Sequence, residues 1–138
     1  MKKKTDDLVN EIVESKNISE YIASNQEEFL DIPLPKYLKT LLWETQLKPS
    51  QVVDAAYKGD YVYQVLRGIK NPSRNILLCI ALGMKLGLDK TKELLRIAHM
   101  SQLDARDQRD SIIIFALNRE MTVPDTNDLL YQHEKECL

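Results

Sequence analysis

The amino-acid sequence predicts an all-α fold. Only four glycines occur in 138 residues, and β-branched residues rarely alternate with polar ones. Apolar residues recur instead three and four positions apart, which is the spacing of a helix face. Hydrophobic residues make up 43% of the chain and charged residues 29%, a composition typical of globular proteins and not of disordered ones. The length fits one domain, or a small domain with helical extensions.

The compartment is predicted from cysteine usage and from the N-terminal residues. Cys79 falls on an apolar helix stripe, far in sequence from Cys137, which favours a reduced protein over a disulfide scaffold. The basic start has no apolar stretch of the kind found in secretory signals, and no run approaches the length of a membrane span. We therefore expect a soluble cytoplasmic protein that does not enter a membrane.

Residues 1–32 are predicted to form an acidic helical extension. Thr5 is positioned to cap a first amphipathic helix that carries Ile12 on its apolar side. Asn17, with Glu20 three residues later, has the spacing of a capping box at the start of a second helix. Such helices usually pack on a neighbouring domain, and dimerisation or partner docking is the functional alternative.

The prolines at 33 and 35 interrupt the helical pattern, because proline disfavours helix in the residue before it. We place a boundary here, with a domain over residues 33–100. Its first helix has Tyr37 and Leu41 on a core-facing stripe, and Trp43 is expected to pack in the core, with stacking on a ligand as the alternative.

Two short helices are predicted next. Pro49 suits a first helical turn, and the face that follows it is narrow, with small side chains, as a closely crossing helix requires. Lys58 and Gly59 break the pattern, and a second short helix covers residues 60–67. The outward side chains of this helix are expected to be Asp60, Tyr63, Gln64 and Arg67.

The stretch after this helix predicts a stop, a cap and a strongly apolar helix. Gly68 is a natural helix end, while Asn71 as cap and Pro72 at the first position are expected to open the next helix. The core stripe of that helix comprises Leu77, Ile80, Ala81 and Met84. A Leu-Gly-Leu turn at 86–88 then leads into a helix over residues 89–98.

Thirteen or so positions in order carry a family resemblance: Tyr61-Val62-x-Gln64-Val65-x-Arg67-Gly68-x-x-Asn71-Pro72-Ser73, then Leu77-Leu78-x-Ile80-Ala81, then the turn at 86–88. On these residues, the segment 37–98 resembles the helix-turn-helix domain of Cro and phage repressors, the XRE-like family of transcriptional regulators. The resemblance implies a five-helix domain. It also implies that helix 60–67 enters the major groove of DNA while neighbouring helix starts hold phosphates.

The resemblance assigns candidate contacts to double-stranded DNA. Gln64, which can pair with adenine through two hydrogen bonds, Tyr63 and Asp60 are the predicted base contacts. The predicted backbone contacts are Lys58, Arg67, Lys70, Asn71, Ser73 and Arg74. No catalytic residue, cofactor or metal is predicted, since His133 and Cys137, four apart on an expected tail helix, are only a weak pair of ligands.

The remaining segment, 101–138, holds an internal repeat. A shift of 35 residues places Arg74-Asn-Ile-Leu-Leu-Cys-Ile-Ala81-Leu82 on Arg109-Asp-Ser-Ile-Ile-Ile-Phe-Ala116-Leu117, and the register continues without a gap. We expect a second helical hairpin that copies the last two helices of the domain. It lacks the recognition helix, so packing or oligomerisation is its predicted role. The apolar run 112–115 is too continuous for one helix face.

Charge distribution and two departures from the family pattern leave two functions open. Residues 33–100 carry eleven Lys/Arg and five Asp/Glu, a net charge of +6 between flanks of −4 each. This asymmetry is typical of a surface that faces a polyanion, and simple clustering of solvated charges is the alternative. However, Gly59 and Asp60 stand where the family usually has Ser, Arg or Gln, and Asp repels phosphate. The prediction is a dimeric DNA-binding regulator, and the alternative is a helix-turn-helix turned into a protein-interaction module.

Overall fold

The computed structural model describes residues 3–29 and 32–138, and the residues in these two ranges form helices and connecting turns without a strand. The all-α prediction is confirmed. The helices are α1 (Thr5–Glu14), α2 (Ile18–Ser24), α3 (Leu34–Thr45), α4 (Pro49–Ala56), α5 (Asp60–Leu66), α6 (Arg74–Met84), α7 (Gly87–Ile97), α8 (Gln108–Asn118) and α9 (Val123–Gln132). Two compact units result, one within residues 3–29 and one over 32–138. Residue 31, which precedes the predicted proline break, lies outside the described ranges.

The N-terminal unit consists of α1, α2 and a short 3-10 turn (Gln26–Glu28). Asn17 caps α2 as predicted, since its side chain accepts a hydrogen bond from the backbone N–H of Glu20 at 2.9 Å. The predicted cap at Thr5 is wrong. Thr5 is already helical, and Lys4 occupies the cap position without a side-chain hydrogen bond.

A buried asparagine holds the N-terminal unit together. The Asn25 side-chain amide donates to a carboxylate oxygen of Glu11 at 2.8 Å and to the carbonyl of Tyr21 at 3.0 Å. Its carbonyl oxygen accepts from Lys3 Nζ at 2.6 Å, and the same ammonium contacts Glu11 at 2.7 Å. These polar contacts link α1 to α2, while α1 leaves apolar side chains such as Val13 exposed.

Helices α4 and α6 approach each other closely in the second unit. A Cβ atom added at Gly83 of α6 would lie 3.1 Å from the Cβ atom of Ala55 in α4, so only glycine fits there without displacement. The small side chains predicted on α4 have this purpose. Trp43 is a different case: its side chain is 77% exposed on α3, and the prediction that it packs in the core is wrong.

The turn between α4 and α5 depends on left-handed backbone. Tyr57 has φ 58° and ψ 33°, and Gly59 has φ 64° and ψ −151°. The second combination is open almost only to glycine, since a Cβ would clash with the backbone. Gly59 is thus required by the turn itself, which explains in physical terms why this position departs from the repressor pattern.

The connection from α5 to α6 is held by a glycine and a serine. Gly68 has φ 80°, and a Cβ added to it would lie 2.9 Å from Cγ of Pro35. Ser73 caps α6, because its hydroxyl oxygen accepts from the backbone N–H of Ile76 at 3.3 Å. The predicted start at Asn71 and Pro72 is two residues too early. Ser73 has the extended backbone of a cap residue, with φ −77° and ψ 170°, so α6 begins only at Arg74.

The two hairpins α6–α7 and α8–α9 repeat each other in detail. Lys85 and Glu120, which are 35 residues apart, end α6 and α8 with φ values of 54° and 53°. His99 and Glu134, again 35 apart, have φ values of 57° and 58° after α7 and α9. Backbone hydrogen bonds after the helices also correspond, as in Leu86 to Ala81 and Met121 to Ala116. The predicted copying of the hairpin is confirmed.

Each hairpin buries one threonine in the same way. The hydroxyl of Thr91 donates to the carbonyl of Gly87, and the hydroxyl of Thr126 donates to the carbonyl of Thr122, four residues back in both helices. Both threonines are fully buried. The bonds satisfy hydroxyl groups that would otherwise be buried without a partner. The second hairpin lies in the same compact unit as α3–α7.

Candidate nucleic-acid interface

Helix α5 divides into a buried and an exposed face, as its sequence spacing predicts. Val62, Val65 and Leu66 are buried against the helices around them. Asp60, Tyr61, Tyr63 and Arg67 are exposed, and Gln64 is half-buried. The exposed face thus brings together all three predicted base contacts and Arg67, a predicted phosphate contact at the end of the helix.

The exposed side chains of α5 interact in pairs one helical turn apart. Gln64 Nε2 donates a hydrogen bond of 3.0 Å to Oδ2 of Asp60. The guanidinium carbon of Arg67 lies 5.6 Å from the ring centre of Tyr63, which is a cation–π contact. Pairs at this spacing restrict the rotamers of both partners. The face therefore presents side chains that are already partly ordered.

Tyr61 braces the loop that follows α5. Its hydroxyl donates a hydrogen bond of 2.8 Å to the carbonyl of Asn71. This contact was not predicted from the sequence, because the partner of Tyr61 lies ten residues away across a turn. The bond orders the segment that holds Lys70 and Ser73, two of the predicted phosphate contacts.

The predicted phosphate contacts differ in availability. Lys70 and Asn71 are exposed beside the C-terminal end of α5, and Lys58 is half-buried in the turn before it. The Ser73 hydroxyl already caps α6, so it can contact a phosphate only as a donor. Together with Arg67, these residues border α5 at both ends.

Arg74 has a structural role instead of the predicted phosphate contact. Its guanidinium donates two hydrogen bonds of 3.0 Å to the carboxylate of Asp110, and donates to the carbonyls of Ser101 and Gln102, also at 3.0 Å. Four of its five N–H donors are thereby engaged, and the ion pair is largely buried. We therefore remove Arg74 from the candidate interface.

Exposed apolar side chains also lie around α5, and two of them were not predicted from the sequence. Tyr57 in the turn before α5 is 62% exposed, and Ile69 just after α5 is 59% exposed. Tyr61 and Tyr63 add two further aromatic rings to this surface. Aromatic residues and arginine are enriched in protein interfaces, so the chemistry of the surface suits a protein partner as well as DNA.

The weak pair of metal ligands at the C-terminal end does not share a helix face. Helix α9 ends at Gln132, and Glu134 has left-handed backbone with φ 58°, so the expected tail helix through His133 and Cys137 is wrong. Among the described residues, no three His, Cys, Asp or Glu side chains come close enough to hold a metal ion. None of the described helices is long and apolar enough to cross a membrane.

Comparison of the chain with models of protein families, with curated proteins and with solved structures finds no match in any of the three. The resemblance to Cro and phage repressors therefore stays a hypothesis that depends on the motif residues. The structure defines an α-helical unit in which α5 lies between a turn that contains Gly59 and the capped helix α6. One face of α5 is exposed, and its side chains are partly ordered by contacts with one another.

Proposed function

We propose that this protein is a DNA-binding transcriptional regulator that occupies its operator by inserting α5 into the major groove. The supporting observation is the exposed face of α5, where Gln64, Tyr63 and Asp60 lie together with Arg67 on a helix whose opposite face is buried. A helix of this kind, carried by a rigid unit, is how helix-turn-helix proteins reach base edges.

In this proposal the base contacts and the phosphate contacts are separate groups. Gln64 and Tyr63 face the bases, and the Gln64 amide complements the N7 and N6 groups of adenine. Lys58, Arg67 and Lys70 neutralise phosphates on either side of α5, while Asn71 and Ser73 add uncharged contacts. The phosphate group fixes position and orientation, and the base group supplies sequence preference.

The regulator acts as a homodimer in the cytoplasm. Two copies of α5 would then read two half-sites about one turn of DNA, roughly 34 Å, apart. Both cysteines are free thiols, which is consistent with a reducing compartment. Binding-site length provides the check, because a dimer protects a footprint about twice as long as one α5 needs.

The test compares Gln64→Ala with Lys70→Ala. Operators are first selected from a pool of random duplexes, and affinities are then measured for the selected duplex and for point variants of it. We expect Gln64→Ala to relax preference at one base pair, and Lys70→Ala to weaken binding to every sequence alike. Equal effects of the two substitutions on all duplexes would contradict the assignment of Gln64 to a base.

The second candidate is a protein-interaction module, such as an adaptor or an antitoxin-like partner. The observation that favours it is the exposed apolar set of Tyr57, Tyr61, Tyr63 and Ile69 around α5. In that case Tyr57→Ala and Ile69→Ala would abolish capture of a partner, and the chain would bind no duplex even at low salt.

A further inference from the structure

Gln64 is held at two points, and one of them is a carboxylate that is out of place on a DNA-facing helix. Its backbone carbonyl accepts hydrogen bonds from the N–H groups of Ile69 at 2.9 Å and Lys70 at 3.3 Å, which close the end of α5. Its side-chain amide donates to Asp60 at 3.0 Å. The backbone position is thus fixed by the helix end, and the rotation of the amide is fixed by Asp60.

Asp60 has no other hydrogen bond to its side chain within residues 3–29 and 32–138. An exposed carboxylate at this place repels DNA phosphates, and a base contact of its own requires the amino group of a cytosine. Because Asp60 is expected to lower the affinity for DNA, a role for it has to come from its other contacts. The contact that the structure contains is the hydrogen bond from Gln64.

We infer that Asp60 is a positioning residue that makes α5 prefer adenine over guanine, by holding the Gln64 amide in one orientation. This inference rests on the proposed binding of α5 to DNA. It goes beyond the base contact predicted for Asp60, because it assigns the carboxylate a role through another side chain and not through a base.

The preference for adenine follows from the donor and acceptor groups of the Gln64 amide that Asp60 leaves free. Nε2 of Gln64 has two N–H groups, and one of them is taken by Asp60, so Gln64 presents one donor and one acceptor outward. Adenine offers one acceptor, N7, and one donor, the N6 amino group, and this pattern is complementary. Guanine offers two acceptors, N7 and O6, and the outward Oε1 of a held amide is repelled by O6.

Without Asp60, the amide rotates freely and its Nε2 can approach either acceptor of guanine. The discrimination between the two purines then falls, although Gln64 is still present. The second pair on α5, Arg67 over Tyr63, does not include residue 60, and we expect it to persist in variants at that position. The effect is therefore confined to the base pair that Gln64 reads.

Two substitutions separate this role from simple charge repulsion. Asp60→Asn removes the negative charge and keeps an oxygen that accepts from Gln64 at the same distance. Asp60→Ala removes both the charge and the acceptor. Each should raise the overall affinity for duplex DNA, since each removes the same repulsion, but only Asp60→Ala should weaken the preference for adenine over guanine.

The experiment uses the full chain and a pool of random 20-base-pair duplexes, followed by affinities for the selected duplex and for its adenine-to-guanine variant at the Gln64-dependent position. We expect the wild type and Asp60→Asn to favour adenine by about fivefold or more, and Asp60→Ala by less than about twofold. The double variant Asp60→Ala, Gln64→Ala should show the same preference as Gln64→Ala alone.

A readout on the free protein is independent of DNA. In ¹⁵N-edited NMR spectra, the side-chain N–H proton of Gln64 that is hydrogen-bonded to residue 60 should be shifted downfield in the wild type and in Asp60→Asn. In Asp60→Ala it should move to the chemical shift of a solvent-exposed glutamine, and unchanged backbone resonances of α5 would show that the helix still forms.

Each outcome is informative. Undiminished preference for adenine in Asp60→Ala overturns the inference and leaves the proposed function intact. Equal loss of preference in Asp60→Asn and Asp60→Ala overturns it too, because the charge and not the acceptor would then matter. If the wild type binds no duplex at low salt, the proposed function fails and the inference fails with it.

Discussion

The hairpins α6–α7 and α8–α9 have the same backbone and different surroundings. Ile80 in the first is fully buried on α6, a helix that packs closely against α4. Its counterpart 35 residues later, Phe115, is 45% exposed and borders a shallow apolar groove. The difference teaches that the hairpin is a structural unit in its own right. The proposed DNA-reading helix, α5, precedes only the first copy.

An arginine at the start of each hairpin likewise makes the same backbone hydrogen bonds in both copies but has a different additional partner in each. Arg74 donates to the carbonyls of the residues 27 and 28 positions later, and Arg109 does the same with the carbonyls of Glu136 and Cys137. Each arginine also reaches the opposite hairpin. Arg74 binds the carboxylate of Asp110, whereas Arg109 binds the amide oxygen of Asn75 at 3.1 Å. Only the first of these cross-hairpin contacts is an ion pair.

The largest difference in the loss of free energy of unfolding is expected between Ile80→Ala and Phe115→Ala. The first substitution leaves a cavity in the core and should lower the free energy of unfolding by about 3 kcal/mol. The second removes a side chain that is nearly half in water and should cost about 1 kcal/mol. Urea denaturation followed by circular dichroism measures both, and equal losses would contradict the difference in surroundings.

Arg74→Ala against Arg109→Ala should give the next largest difference. Loss of Arg74 leaves the buried carboxylate of Asp110 without its ion pair and should cost about 2–3 kcal/mol in free energy of unfolding. Loss of Arg109 removes hydrogen bonds to uncharged oxygens and a weaker electrostatic attraction to Asp110, and should cost about 1 kcal/mol. The same denaturation experiment measures both variants. A larger loss of free energy of unfolding for Arg109→Ala would contradict the importance of the Arg74–Asp110 ion pair for stability.

A smaller effect is expected in the pH dependence of stability. Burial raises the pKa of Asp110, but the hydrogen bonds from Arg74 and from the backbone N–H of Asp104 outweigh it and hold the pKa below its ordinary value of 3.8. A carboxyl with a lowered folded pKa stabilises the fold above its unfolded pKa, and this contribution is lost as pH falls through the folded pKa. Below about pH 4, the stability of wild type should therefore fall more steeply than that of Asp110→Asn. If the free energies of unfolding of the wild type and of Asp110→Asn fell in parallel below about pH 4, the pH dependence would not come from Asp110.

The sequence predicted the elements whose signals are local. The buried and exposed faces of α5 follow from the spacing of Val62, Val65 and Leu66, and the repeated hairpin follows from residue identities 35 positions apart. Asn17 was recognisable as a cap because its partner is three residues away. In each case, the residues that decide the structure lie within a few turns or recur in register.

The features that the sequence did not predict depend on distant partners. Arg74 resembles a phosphate contact until Asp110 and the carbonyls of Ser101 and Gln102 are brought to it by the fold. Trp43 resembles a core residue, but α3 buries its other face. At the start of α6, Asn71-Pro72 and Ser73 offered competing caps, and local backbone preference decided for Ser73.

The salt dependence of DNA binding tests the central proposal, that α5 and the basic residues around it bind DNA while the second hairpin does not. Affinity of the full chain for mixed-sequence duplex DNA is measured between about 50 and 200 mM salt. The three cations retained at α5, Lys58, Arg67 and Lys70, predict a slope of log K against log salt of about −3 per protomer.

Alanine at Lys70 should reduce that slope by about 1, whereas alanine at Arg106, an exposed cation before the second hairpin, should leave it unchanged. The proposal predicts both results. A wild-type chain that binds no duplex at the lowest salt, or a slope that changes at Arg106 and not at Lys70, would contradict it.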